Sequence, residues 1–206
     1  IYLGVGENQS YTIYDIGGFV GYHYTETISK SYSTGNVSGD LATEINTGAT
    51  RIGGFVGTNR KGTITESYST GDVSGGQMLG GFAGMSGGTI QNSFARGSVT
   101  GNIGLGGFAG TLVNNSSTLN SYATGLITKT GTSDIVAGFT GYLRNGEIIN
   151  SFWDTETTEM VDSCYYTYGA TCDSVFGKPT SKMKIIDTFT SLLSATEDEW
   201  WDFDLI

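Results

Sequence analysis

Residues 52–57 read Ile-Gly-Gly-Phe-Val-Gly, and the phrase recurs at Ile16–Gly21, Leu79–Gly84 and Leu105–Gly110, with Val-Ala-Gly-Phe-Thr-Gly at Val136–Gly141. The five phenylalanines are Phe19, Phe55, Phe82, Phe108 and Phe139, separated by 36, 27, 26 and 31 residues. Self-similarity at such a period is the mark of a repeat architecture, with insertions in the longer copies. A second phrase follows each first one: SYSTGNVSG from Ser31, SYSTGDVSG from Ser67, SFARGSVTG from Ser93, SYATGLITK from Ser121 and SFWDTETTE from Ser151.

Aligning the copies gives five apolar columns. They are Ile16/Ile52/Leu79/Leu105/Val136, the Phe column, Ile28/Ile64/Ile90/Leu119/Ile148, Tyr32/Tyr68/Phe94/Tyr122/Phe152, and Val37/Val73/Val99/Ile127. One copy cannot bury such a set, but stacked copies place each column in a ladder within a continuous core. Alternation of apolar and small polar residues around Tyr68 and Val73 indicates strands. Gly35, Gly71, Gly97 and Gly125 recur between two short strands, where freedom to adopt positive φ is expected to turn a corner. A serine precedes every second-phrase aromatic (Ser31, Ser67, Ser93, Ser121, Ser151), and its expected work is to satisfy corner backbone groups rather than to face a ligand. The predicted fold is all-β: a parallel β-helix of about five coils over residues 1–155, closed by a capping segment over residues 156–206.

That segment differs in composition. All three tryptophans and most of the acidic residues lie from Glu147 onward. An uncovered last coil exposes strand edges, so this end is expected to cap the core. Ser181–Ser194 carries apolar residues at helical spacing after Pro179, which predicts one short amphipathic helix. Cys164 and Cys172, the only cysteines, predict a disulfide-closed loop and with it an oxidising compartment.

The repeats resemble the GLUG motif, a glycine-rich tandem repeat of large bacterial surface proteins, including filamentous-haemagglutinin-like adhesins and chains that also carry IgA-cleaving metallopeptidase domains. The resemblance covers roughly residues 16–155. It implies a β-helical fold and export; it does not imply a catalytic activity, because in the peptidases such repeats lie outside the catalytic metal site.

Charge and composition narrow the function further. Lysine and arginine total 10 against 20 aspartate and glutamate, a formal charge of −10 that opposes binding to phosphate backbones. Nucleic acid is thereby excluded as an expected partner. No apolar run approaches the ~20 residues of a membrane-spanning helix. The sole histidine, His23, has no nucleophile and orienting acid at a suggestive spacing. No cofactor or metal site is expected, since CX7C with a distant histidine lacks ligand spacing. The carboxylates Asp154, Glu156, Asp198, Glu199, Asp202 and Asp204 read as solubilising charge on a cap.

The expected function is a non-enzymatic, secreted or cell-surface module: a rigid solenoid for adhesion, whose partner is a surface glycan or protein or a further copy in a fibre. Two alternatives are an ice-binding solenoid, with Thr34, Thr70, Arg96, Thr124 and Asp154 as its best column, and a polysaccharide-active β-helix enzyme. A binding surface is expected on the longest corner, 14 residues from Ser38 to Arg51 where later copies have 5, 5 and 8, because a solenoid accepts insertions only at corners. Its candidate ligand-binding residues are Asp40, Glu44, Asn46 and Arg51.

Overall fold

The computed structural model describes residues 14–39 and 51–185. They form a β-solenoid of five turns in which every strand pair among the described residues is parallel and each coil adds one rung to four sheets. Sheet A holds Asp15–Gly17, Arg51–Gly53, Val73–Gly80 and Val99–Gly106, with short partners at Val37–Ser38, Ile127–Lys129 and Val136–Ala137. Sheet B stacks Val20–His23, Val56–Asn59, Ala83–Ser86, Ala109–Val113, Thr140–Arg144 and Cys164–Tyr168. Sheet C stacks Thr27–Ser29, Thr63–Thr65, Thr89–Gln91, Ser117–Leu119 and Glu147–Ile149. Sheet D stacks Tyr32–Ser33, Tyr68–Ser69, Phe94–Ala95, Tyr122–Ala123, Ser151–Asp154 and Val175–Lys178.

Two apolar interiors run along the axis. The larger contains the Phe column, with successive ring centroids 4.8, 4.8, 5.1 and 4.9 Å apart from Phe19 to Phe139. Ile64, Ile90 and Ile148 of sheet C close it. The smaller lies within sheet A, where the Val37 and Ile52 columns pack on each other. The double glycine explains the division. A Cβ on Gly53 would fall 2.1 Å from the Val56 carbonyl oxygen, and one on Gly54 would fall 2.1 Å from that of Gly81. Only residues without a side chain allow the backbones of the turn to pack this closely.

Three sequence expectations are corrected. First, the Tyr32/Tyr68/Phe94/Tyr122 column is stacked, at 5.2, 4.8 and 4.9 Å, but on the outside of sheet D. Neighbours in a strand point to opposite faces, and the inward positions belong to Ser33, Ser69, Ala95, Ala123 and Trp153. The inner space is narrow there: a Cβ on Gly81 would come within 2.9 Å of the Ala95 methyl. Tyr32 is accordingly 59% exposed, while Tyr122 and Phe152 are covered by Met183 of the helix Thr180–Met183. Second, the interior partner of Ile90 and Ile148 is Thr118, not Leu119. Third, Gly35, Gly71, Gly97 and Gly125 are not at positive φ; the left-handed corner residues are Lys30, Glu66, Asn92, Asn120 and Asn150, at φ between 46° and 51°.

The serine ladder behaves as expected. The hydroxyls of Ser31, Ser67, Ser93, Ser121 and Ser151 each donate to the carbonyl two residues earlier, at 2.8–3.0 Å. Ser67, Ser93 and Ser151 also accept a backbone N–H from the serine one coil before. Cys164 and Cys172 are disulfide-bonded, and the strands at Cys164–Tyr168 and Val175–Lys178 extend sheets B and D beyond the fifth coil. The helix spans Thr180–Met183 with Met183 buried and ends on Lys184, so the expected Ser181–Ser194 helix does not continue through Lys184 and Ile185; its residues 186–194 lie outside the described residues.

Candidate functional site

Arg51, Arg60 and Arg144, three of the four arginines in the chain, converge on a groove of about 600 Å³ along the outer face of sheet B. Each arrives by a different route. Arg51 opens a sheet A strand, and the close packing of sheets A and B brings it beside sheet B: a Cβ on Gly84 would lie 2.5 Å from the Arg51 carbonyl carbon. Arg60 follows the strand Val56–Asn59, its backbone N–H held by the His23 carbonyl at 2.7 Å. Arg144 ends the strand Thr140–Arg144, with Val113 and Tyr168 as its register neighbours. Arg60 and Arg144 stand three coils apart, roughly 14 Å at one strand spacing per coil. The equivalent positions between them are Gly87 and Val113, which keep the floor low.

The charges in the groove are unequal. Arg51 is paired with Asp15, Nη1 to Oδ1 at 3.3 Å, and its guanidinium lies 5.6 Å from the Tyr14 ring centroid. The Thr58 hydroxyl donates to the same Asp15 oxygen. Among the described residues Arg60 and Arg144 are in no ion pair, and both are exposed. Arg144 lies 5.4 Å from the Tyr142 ring and 5.8 Å from the Tyr166 ring, within cation–π range. Burial raises the Tyr142 hydroxyl above its ordinary pKa and nearby Arg144 partly offsets this, so Tyr142 is a neutral hydrogen-bond donor at physiological pH. Tyr166 and Tyr168 are 43% and 64% exposed. Asn114 and Asn145, at φ 57° and 53°, form the left-handed rim, a conformation asparagine tolerates better than most residues.

Of the residues expected to bind a ligand, Arg51 lies in this groove, whereas Asp40, Glu44 and Asn46 lie outside the described residues. Arg60 and Arg144 were not legible as site residues: they occupy strand ends 84 positions apart in the chain, and only the stacking of coils aligns them.

The remaining candidates have structural work. His23 is buried at the end of its strand, with Nδ1 3.0 Å from Asn59 Oδ1. The Asn59 amide donates to Ser86 Oγ and the Gly62 carbonyl, forming an internal polar ladder at the turn between sheets B and C. Asp154, 1% exposed, accepts from the backbone of Glu156 and Thr157 and from the Thr180 hydroxyl, tying the helix to the last full coil. The Thr34/Thr70/Arg96/Thr124/Asp154 column therefore ends on a buried carboxylate. Asp198, Glu199, Asp202 and Asp204 lie outside the described residues.

The family model of the GLUG motif matches residues 13–38 and 48–74, the first two coils. No curated protein and no solved structure matches the chain significantly.

Proposed function

We propose that this chain, a GLUG-motif repeat protein built as a β-solenoid, is a non-enzymatic adhesion module of an exported surface protein, with the outer face of sheet B as its recognition face. One observation carries the reading: the ladder serines, the Asn59 amide and the Asp154 carboxylate inside the coils are engaged with one another or with the backbone, whereas among the described residues the exposed guanidinium groups of Arg60 and Arg144 are in no ion pair. A rigid rod that presents charge and aromatic rings on one face is suited to holding a partner. The Cys164–Cys172 bond supports export, because such bonds persist in oxidising compartments. The test is to display the 206-residue chain on a non-adherent cell and score attachment to glycan- and glycoprotein-coated surfaces. Attachment above the empty carrier, reduced by Arg60→Gln/Arg144→Gln, is expected; no attachment to any coating contradicts adhesion.

A second reading rests on the outer face of sheet C. There Thr27, Thr63 and Thr89 are register partners, flanked by Ser29 and Thr65, in the regular hydroxyl array an ice-binding face needs. The array is interrupted by Gln91, Leu119, Glu147 and Ile149, so adhesion is preferred. Thermal hysteresis in a solution of the chain would reverse that preference.

A further inference from the structure

We infer that the groove between Arg60 and Arg144 binds an acidic polysaccharide, with its carboxylate or sulfate groups on the two guanidiniums and its sugar rings against Tyr166 and Tyr168. The inference rests on sheet B being the recognition face and adds the chemistry of the ligand.

Four observations select that class. Arg60 and Arg144 are exposed and free of ion pairs among the described residues, in a chain of formal charge −10. Local positive charge against that background favours an anion, and the planar guanidinium matches a carboxylate or sulfate edge with two parallel hydrogen bonds. The backbone positions of Arg60 and Arg144 are roughly 14 Å apart by the coil spacing, across a floor of Gly87, Val113 and Met85. A linear polymer carrying repeated charges can span both positions.

The aromatic groups add selectivity. Tyr166 and Tyr168 stand exposed beside Arg144, where rings with one apolar face and a hydroxyl edge can meet both the C–H face and the hydroxyls of a sugar. The outer aromatic ladder of sheet D offers no such platform. Its rings are parallel and about one coil apart along the axis, 4.8 Å for Tyr68 and Phe94, so these two are covered on both faces and turn only their edges to solvent.

Competing polyanions fit less well. Duplex nucleic acid, with one charge per ~1.7 Å of axis, meets the net negative charge of the chain more heavily than a sparsely charged polysaccharide does. An acidic peptide gains much of its affinity by adding a strand to a sheet edge. The two arginines instead flank interior strands of sheet B, Val56–Asn59 and Thr140–Arg144, whose backbone groups already pair on both sides, and only the two tyrosines come from the edge strand Cys164–Tyr168.

The test is calorimetric titration of the intact chain with polygalacturonate, dextran sulfate, neutral dextran and polyglutamate. Binding of polygalacturonate or dextran sulfate is expected, weakened by salt and by about tenfold or more in Arg60→Gln/Arg144→Gln. Tyr168→Ala should weaken it as well, while dextran and polyglutamate should not bind. The stronger of the two acidic polymers distinguishes a carboxylate from a sulfate ligand. Both arginines are exposed, so circular dichroism and the thermal midpoint should match the parent and certify the variant as folded. The inference is overturned if neither acidic polysaccharide binds, if the double variant binds as the parent does, or if polyglutamate binds equally well. If no acidic polysaccharide binds yet the double variant abolishes cell attachment, the ligand class alone is wrong. If attachment is also unchanged, the recognition face is wrong.

Discussion

A Cβ on Gly97 would lie 1.9 Å from the carbonyl oxygen of Gly71, its counterpart one coil away. No rotamer relieves a contact with backbone, so the coils must separate. Gly97→Ala should therefore cost at least the ~1–3 kcal/mol of an overpacked core. Gly35 occupies the same column in the first described coil, and a Cβ there meets nothing within 4 Å. Gly35→Ala should be neutral or stabilise by up to ~1 kcal/mol through the unfolded chain. Urea midpoints of the two variants check the contrast, and equal loss at both sites would contradict this stacking.

The two aromatic ladders should respond differently to truncation. Phe82 is fully buried between Phe55 and Phe108, so Phe82→Ala should cost about 3–5 kcal/mol. Tyr32 stacks on Tyr68 from outside and is 59% exposed, so Tyr32→Ala should cost no more than about 1 kcal/mol. Chemical denaturation of both variants decides it.

Much of this architecture was legible because each coil repeats two phrases, and the repeats fix which residues share a register. The direction of the second-phrase aromatics was not. Tyr68 and Phe94 look like core residues by hydrophobicity, but the glycine turn approaches the inner face of sheet D so closely that only Ser69 and Ala95 fit there. Thr118 was missed for a related reason. Ile64, Ile90 and Ile148 each stand three residues before the ladder serine, and that spacing selects Thr118, although Leu119 is the more apolar residue. The groove was legible only at Arg51, since no local pattern links Arg51 and Arg60 of the second described coil to Arg144 three coils further on.

Thr118 also supplies a stabilising prediction. It is fully buried beside Ile90 and Ile148, and its hydroxyl has no hydrogen-bond partner. Thr118→Val keeps the shape and removes an unsatisfied polar group, so it should gain about 1–2 kcal/mol. A raised thermal midpoint is the expected result.

Tyr122 should couple stability to alkaline pH. Burial holds its hydroxyl pKa well above the ordinary value, only partly offset by Arg96. The folded chain thus retains a proton that the unfolded chain releases near pH ~10. Stability from this group is complete below that pH and is lost as pH rises above it, because the unfolded state then binds fewer protons. Tyr122→Phe should flatten the decline of stability above pH ~10, as followed by urea midpoints against pH.

The parallel register is the premise on which the groove and both ladders depend, and electron–electron spin distance measurement tests it most directly. Thr27, Thr63, Thr89, Ser117 and Glu147 are successive register partners on the outer face of sheet C. Nitroxides attached at Thr27→Cys and Glu147→Cys are separated by four coils, roughly 19 Å of backbone. A single distribution centred at about 2 nm is expected, given that spacing. Several separated distances, or one well beyond about 3 nm, would contradict a stack built at one strand spacing per coil.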